Sequence, residues 1–435
     1  MAELSTPLYE ASPCHLFGSG LLSDSVTFLS FSPDGLYLVV GCADLQVFVL
    51  QVETWAIIRV FTLHKGPPTA VVWARLRMST CLFVGDFTGD LHEIMMGHSV
   101  ANDKQHVYNI GGPIYALAQQ GQVLAVSAGH VVSVRTLESY ATNKLVYNGT
   151  KVFQEPSAFV VNGDSTSPLK PIAISLSFLA SSNILLGAYE THGIVIWNER
   201  GQSLKHILPR AVCIGGACVS PSGDRLYVTN LADGIDVYRL HLEQPQRSAF
   251  ETTFKTSIGT NLPVPVTCIH GGLQLLIGGT QGQIEVLSSA DGFAGGWTRT
   301  SPSYAPRVQT VAYTCVDGSQ RLHYIAFGAY EKGKQASVAI YRGIEEKMRA
   351  PAIWRPSSTS LSEAGWHWRL LYSMGHYALT AASLVALVAM AWLSMQLFEL
   401  FRDLLRFLVA SAGAVFYILW RSPEFPPPVA TINPA

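Results

Sequence analysis

The sequence predicts an all-β fold: seven four-stranded sheets set as the blades of a propeller, followed by a hydrophobic C-terminal region expected to form a transmembrane helix. Three observations carry that expectation. A strand–turn–strand unit occurs twice in nearly the same form, small residues recur at about the spacing of one blade, and charge is scarce. Charged residues make up 14% of the 435, against roughly 25% in ordinary globular chains. With 37 Gly and 23 Pro, such a chain favours short strands joined by turns.

The clearest unit is Phe31-Ser32-Pro33-Asp34-Gly35-Leu36-Tyr37-Leu38-Val39-Val40-Gly41, followed by Asp44 and the alternating run Val47 to Leu50. Pro-Asp-Gly sets one φ and then offers a residue free to take φ > 0, which is what a hairpin between two apolar strands needs. Val219-Ser220-Pro221-Ser222-Gly223-Asp224-Arg225-Leu226-Tyr227-Val228 is a near copy, followed by Asp233 to Tyr238. Marking the residue that closes the second strand of each unit gives Gly41, Gly85, Gly129, Gly187, Asn230, Gly278 and Gly328, at intervals of 44, 44, 58, 43, 48 and 50. A period of about 40 to 45 residues with four strands per unit is the signature of a propeller. Seven units then fill residues 26 to 342. The long interval coincides with the polar stretch Asn162 to Ser167. Gly89-Asp90-Leu91, Gly193 to Trp197 and Gly282 to Val286 read as third strands. Since a propeller ring must close, Tyr9 to Phe17 is expected to supply the outer strand of the last blade.

Ser32-Pro33-Asp34-Gly35, Ser220-Pro221-Ser222-Gly223, His64-Lys65-Gly66-Pro67 and Trp197-Asn198 give the chain a resemblance to the WD-repeat family over about three quarters of its length. The family's hallmark Gly-His and Trp-Asp dipeptides are almost entirely absent, with Trp197-Asn198 the only near match, so the strand-tying hydrogen-bonded tetrad does not transfer residue by residue. The pattern also resembles uncharacterised propeller proteins of mushroom-forming fungi, which implies no particular activity.

The C-terminal region divides by composition. Residues 1–348 are the propeller, 349–368 a Ser/Pro-rich tether, 369–421 a membrane-anchoring region and 422–435 a Pro-rich tail. Tyr377 to Leu397 is 21 residues without charge, and at about 1.5 Å per residue it matches a bilayer core of roughly 30 Å. Trp366, Trp368, Tyr372 and Tyr377 gather at its start, as at an interfacial belt. A second uncharged run, 407–420, is short for a span, and reads either as the partner of a helical hairpin or as an interfacial helix.

Composition also bounds the function. A formal net charge of -1 gives no basic footprint, so nucleic acid is not an expected partner. Cys14, Cys42, Cys81, Cys213, Cys218, Cys268 and Cys315 are odd in number and contain no CxxC, which implies reduced, buried thiols rather than a disulfide framework or zinc site. Cys213 and Cys218 are nearest in sequence and are expected within one blade. Met1 to Pro13 lacks the apolar stretch of a secretory signal, so the propeller is expected to face the cytosol at the endoplasmic reticulum or another endomembrane.

Candidate chemistry fails residue by residue. His92 and His98 are six apart, on a strand and turn, where a helical zinc site needs i and i+4. Gly18-Ser19-Gly20-Leu21-Leu22-Ser23 has Ser in the third glycine position of a dinucleotide loop and a hairpin context. Asn148-Gly149-Thr150 is a glycosylation triplet that matters only in a lumen. Asp86, Asp90, Asp233, Asp236 and His270 are expected mostly in blade turns with structural roles. No catalytic, cofactor-binding or metal residue is assigned, and neither a cofactor nor a small-molecule substrate is expected.

The expected function is a membrane-anchored scaffold for protein partners, not an enzyme, with the insertion Tyr147 to Lys170 as its most accessible loop. The alternative comes from layout: a cytosolic propeller before a span resembles the endoplasmic-reticulum exchange factors of the Sar-family GTPase. In that family a glycine-rich, cation-binding loop of the first blade does the work; here the corresponding turns, Ser32 to Gly35 and Gly41 to Leu45, carry no such insertion.

Overall fold

The computed structural model describes residues 7–345 except 11, 18–19, 77–78, 97–104, 140–144, 157–169, 180–182, 209–212, 242, 257–262, 281, 291–293, 301–306, 318–320 and 331–335. The tether, 377–397, 407–420 and the tail lie outside the described residues, as do Asn162 to Ser167. Among the described residues no helix is long and apolar enough to cross a membrane.

After two short N-terminal strands, β1 (Leu8–Tyr9) and β2 (His15–Phe17), the chain builds seven antiparallel sheets in sequence order. Blade 1 is β3 (Val26–Phe31), β4 (Tyr37–Cys42), β5 (Gln46–Gln51) and β6 (Ile57–Thr62). Blade 2 is β7 (Pro68–Leu76), β8 (Ser79–Asp86), β9 (Asp90–Met96) and β10 (Gln105–Asn109). Blade 3 is β11 (Ile114–Gln120), β12 (Val123–Ala128), β13 (Val131–Ser139) and β14 (Leu145–Val152). Blade 4 is β15 (Ala173–Phe178), β16 (Leu185–Tyr189), β17 (Gly193–Trp197) and β18 (Ser203–Ile207). Blade 5 is β19 (Gly216–Val219), β20 (Arg225–Thr229), β21 (Gly234–Arg239) and β22 (Ala249–Lys255). Blade 6 is β23 (Val266–Ile269), β24 (Gln274–Gly278), β25 (Gln283–Ser288) and β26 (Ala294–Thr300). Blade 7 is β27 (Arg307–Val316), β28 (Leu322–Tyr330) and β29 (Ser337–Ile344).

First strands touch first strands all the way round, β3 to β7, β7 to β11, and so on to β27, which meets β3 again. That is a closed ring of seven blades. Both N-terminal strands add to β29: Leu8 lies opposite Ile344 and His15 opposite Ile340. The expected outer strand of the last blade is therefore present, split in two. Gly20 (φ 84°) belongs to the passage from β2 to β3, which lie in different sheets, so its context is a link between blades and not the expected hairpin.

The repeating small residues have a physical reason. A Cβ on Gly85 would stand 2.7 Å from Ile114 Cβ, one on Gly278 2.9 Å from Val308 Cγ1, and one on Gly328 2.8 Å from Val26 Cβ. In each case the second strand of one blade meets the first or second residue of the next blade's first strand. Those openings share a bulge: the register slips between 26 and 28, 68 and 70, 114 and 116, 173 and 175, and 308 and 310. A bulge bends its strand and re-aims one side chain, and here it turns the opening residue onto the neighbour. Gly41 and Gly187 serve their own blades, lying under the Phe28 and Trp197 rings.

Hydroxyl groups connect the blades where sheet hydrogen bonds cannot. Ser127 Oγ donates to the Ala173 carbonyl (2.8 Å), Ser175 Oγ to Ala217 (3.2 Å) and Thr229 Oγ1 to Val264 (3.2 Å), while Thr310 Oγ1 accepts from the Leu29 amide (3.2 Å). Apolar clusters fill the space between sheets. One joins Val40 and Phe48 of blade 1 to Ala326 and Ile340 of blade 7 and to Phe17 of the closing strand.

Replacing Gly85 by Ala forces a methyl group against Ile114 and should lower the unfolding free energy by about 1–3 kcal/mol. Adding Ile114→Ala should return part of that loss as a favourable coupling in a double-mutant cycle read by denaturant unfolding.

Candidate functional site

The polar residues singled out in the sequence resolve into two turn-capping networks of one design. Asp86 is fully buried at the end of β8, and its Oδ1 accepts from the Thr88 amide (2.8 Å), the Thr88 hydroxyl (2.7 Å) and the Asp90 amide (2.9 Å). Its Oδ2 accepts from His92 Nε2 at 3.1 Å. Asn230 holds the same place in blade 5: its Oδ1 accepts from the amides of Ala232 (3.0 Å), Asp233 (3.0 Å) and Gly234 (3.1 Å), and its Nδ2 donates to Asp236 at 3.0 Å. In both blades the capping residue lies six positions before its strand partner. The same Oδ1 cap recurring in two blades marks its job as structural: it satisfies the buried donors of the turn between second and third strands.

Asp90 accepts from Lys65 Nζ and from Asn109 Nδ2, each at 2.7 Å, and the Lys65 ammonium holds its carboxyl below the usual carboxylate range. Lys65 belongs to the His64-Lys65-Gly66-Pro67 stretch, so that stretch ties the entry of blade 2 to its third strand. His92 lies on β9, as expected; His98 is outside the described residues. Asp236 departs from expectation: it is buried within β21, not in a turn, and accepts from Thr253 Oγ1 at 2.7 Å. Among the described residues no group of three or more His, Cys, Asp or Glu is placed to hold a metal ion.

A second cluster forms where the ring closes. Tyr9 of β1 donates its hydroxyl to His270 Nε2 (2.7 Å), while His270 Nδ1 meets Gln274 Oε1 (2.5 Å). Tyr313 and His323 bond through the hydroxyl and Nδ1 at 2.7 Å, and the two imidazole rings lie 5.2 Å apart at 78°. Glu345 and Arg321 border the cluster at 3.7 Å from one another, with the same Glu345 oxygen 3.7 Å from His323 Nε2. His270 occupies the left-handed region (φ 51°), continued by Gly271 and Gly272. Burial lowers its pKa to about 4, and burial lowers that of His323 as well. Sequence alone could not assemble this cluster, because its members come from the N-terminal strand and from blades 6 and 7.

Among the described residues, a cavity of about 430 Å³ opens between blades 3 and 4. Val123 and Val134 of blade 3, with Phe153, form one wall and Phe178 of blade 4 the other; Lys151, Asn183 and Glu199 stand at the rim. The walls are locked together. Trp197 Nε1 donates to the Gln154 carbonyl (2.9 Å), the Gln154 amide to Gly201 (3.0 Å), and Lys151 Nζ to the Glu199 carbonyl (2.8 Å). Phe153 packs edge-on to Trp197, ring centres 5.6 Å apart. This volume lies within the range of ligand pockets, roughly 300–1,000 Å³. The expected insertion Tyr147 to Lys170 is thus corrected in part: its first residues, Tyr147 to Val152, complete β14, and Lys151 and Phe153 build the groove. Its tip, Asn162-Gly163-Asp164, and the side chain of Asn148 lie outside the described residues.

Comparison with known proteins adds the fold class. No family model and no curated protein matches the sequence. Among solved structures the chain is similar to the β-propeller domain of Myceliophteria thermophila Cps50 (Swd1), with a TM-score of 0.58 at 15% identity, covering 76% of this chain and 98% of that one. At that identity the likeness establishes the fold alone: the chain is a seven-bladed β-propeller.

Two outcomes test these readings. Asp86→Ala strands the Thr88 and Asp90 amides and should cost about 2–4 kcal/mol in denaturant unfolding, whereas Asp86→Asn should cost less than half of that, since Asn230 caps the corresponding turn of blade 5. The buried His270 makes stability pH-dependent. Its folded pKa lies below its unfolded value of about 6.5, so its contribution is complete above pH 6.5. As pH falls toward 4, the unfolded chain takes up a proton that the folded chain refuses, and stability declines by about 3 kcal/mol, levelling only below pH 4. His270→Gln should flatten that slope in unfolding measured from pH 4 to 7; an unchanged slope would assign it to other groups.

Proposed function

We propose that this chain is a WD-repeat-type interaction scaffold held at a membrane, with the groove between blades 3 and 4 as a docking site for a protein partner. The observation that carries the reading is the groove itself: apolar walls, a rim with one cation and one carboxylate, and a frame fixed by hydrogen bonds between two blades. Rigid concave surfaces with a few polar groups at the edge are where propellers and other scaffolds meet partners. Lys151 and Glu199 together suit a peptide that presents both charges beside an apolar side chain.

The membrane part of the proposal rests on sequence. Tyr377 to Leu397 has the length and composition of a span, and its flanking aromatics suit an interface. The propeller would then stand on the cytosolic side, where seven unpaired thiols keep their reduced state. Exchange on a small GTPase has no comparable support, since the turns of blade 1 after β3 and β4 close within a few residues and hold no projecting loop.

Cross-linking followed by mass spectrometry on membranes carrying the full-length protein tests the docking site. Val134→Glu combined with Phe178→Glu should remove a defined set of cross-linked proteins that Ile57→Glu, on the outer strand of blade 1, leaves in place. An identical set for both variants would rule the groove out. For the anchor, Val385→Asp with Val388→Arg should move the protein into the carbonate supernatant, each charge costing ~2.5–3.5 kcal/mol at a helix centre; wild-type protein found there would refute the span.

A further inference from the structure

The two cysteines nearest in sequence are not the pair the fold brings together. Cys213 precedes β19, while Cys218, within β19, meets Cys268 of β23 at an Sγ–Sγ distance of 3.6 Å. The two thiols stand on the first strands of adjacent blades, 5 and 6, and both are free and half-buried. From this juxtaposition we infer that Cys218 and Cys268 are a redox modification site, closing to a disulfide that covalently joins blades 5 and 6 when the protein meets a hydroperoxide.

The backbone favours the bond. A disulfide requires Cα atoms about 4.4–6.8 Å apart and sulfurs near 2.05 Å, so the strands must run unusually close. The two blades approach closely just before Cys218, where the chain lacks side chains: a Cβ on Gly216 would stand 2.9 Å from the Val264 carbonyl, and one on Gly215 3.1 Å from Pro263 Cα. Thr229 Oγ1 donates to the same Val264 carbonyl at 3.2 Å, fixing the two blades at this level. Gly216 and Cys218 are two apart and share a face of β19. Closing the sulfurs from 3.6 Å then asks for side-chain rotation with little movement of either strand.

The remaining contacts between these blades are non-covalent. Tyr227 and Phe254 of blade 5 pack with Val266, Leu275 and Ile277 of blade 6, and Arg225 Nη1 donates to the Ser289 carbonyl at 3.0 Å. A disulfide would close a loop from 218 to 268 and restrict the unfolded chain, which is how such links stabilise.

The chemistry balances with the peroxide as oxidant. One thiolate sulfur attacks the peroxide O–O bond, taking one oxygen to become a sulfenic acid while the other oxygen leaves as water or alcohol. The second thiol then attacks that sulfur, the S–S bond forms, and the sulfenic oxygen leaves as water. Two thiols are oxidised by two electrons and one peroxide is reduced. Dithiol reductants reverse it. The thiol–thiol hydrogen bond, together with burial, pushes Cys218 well above the usual thiol range, so thiolate is scarce at neutral pH. Sustained peroxide, not a brief pulse, is the expected trigger, and the rate climbs with pH.

The test uses the full chain purified in detergent and treated with hydrogen peroxide at pH 7 and at pH 8.5. Non-reducing peptide mapping should show the 218–268 linked peptide, formed faster at the higher pH, removed by dithiothreitol and accompanied by a rise in Tm. Cys218→Ser and Cys268→Ser should each abolish the link and leave a sulfenic acid on the remaining partner, trapped by dimedone. Mapping of the wild-type protein stands without the variants, should either fail to fold. Sulfinic or sulfonic acid at either position in place of the link, or a link of either cysteine to another residue, would overturn the inference.

Discussion

The fold depends on the contact between the opening residue of one blade and the end of the second strand in the blade before it. Ile114 on Gly85, Val308 on Gly278 and Val26 on Gly328 set how closely neighbouring sheets approach, and therefore whether seven of them close a circle. The bulge that follows each opening residue aims it. First strands of adjacent blades do not share a ladder of backbone bonds, so hydroxyls on Ser127, Ser175, Thr229 and Thr310 reach across instead. Steric fit sets the spacing and these single bonds hold the register between blades.

That division of labour explains what the polar residues are for. Buried carboxylates and amides in a propeller meet backbone donors exposed by tight turns, and an unsatisfied donor costs more than a made bond contributes. Asp86 and Asn230 each meet three such donors or hydroxyls from one oxygen. These two side chains are thereby engaged in capping turns, and the groove at blades 3 and 4, proposed above as the docking site, combines apolar walls with charge at the rim.

Much of this architecture was legible in the sequence because hairpins write themselves locally. Pro-Asp-Gly at 33–35 and Pro-Ser-Gly at 221–223 mark turns by backbone chemistry that needs no tertiary partner, and the glycine near the end of the second strand recurs because it lies under a ring of its own blade at 41 and 187 and under the next blade's first strand at 85, 278 and 328. The bulges left no such clear trace: Thr27, Thr69 and Ile174 are β-branched, but Tyr115 and Gln309 are not, so no single side-chain type marks the position. Asp236 lies in a strand and not a turn because its strand character comes from pairing with Thr253 and Val228, not from its own preference. The groove, the histidine cluster and the Cys218–Cys268 contact join residues of different blades, or of the two ends of the propeller, and a linear pattern carries no signal for those meetings. The one partial clue was the insertion after blade 3, which pointed to the neighbourhood of Lys151 and Phe153 without revealing that Tyr147 to Val152 continue the sheet.

The split clasp of blade 7 has a mechanical meaning. β1 and β2 lie antiparallel along β29, held by short runs of backbone bonds and by Glu10 on Arg342. A pull on the N-terminal end directed away from the sheet edge would load these bonds one after another, as a zipper opens, while the same pull along the strand would load each run at once. Resistance to traction is then anisotropic, low for peeling and high for shear. The ring would open at its seam under a force that leaves the six other blades intact.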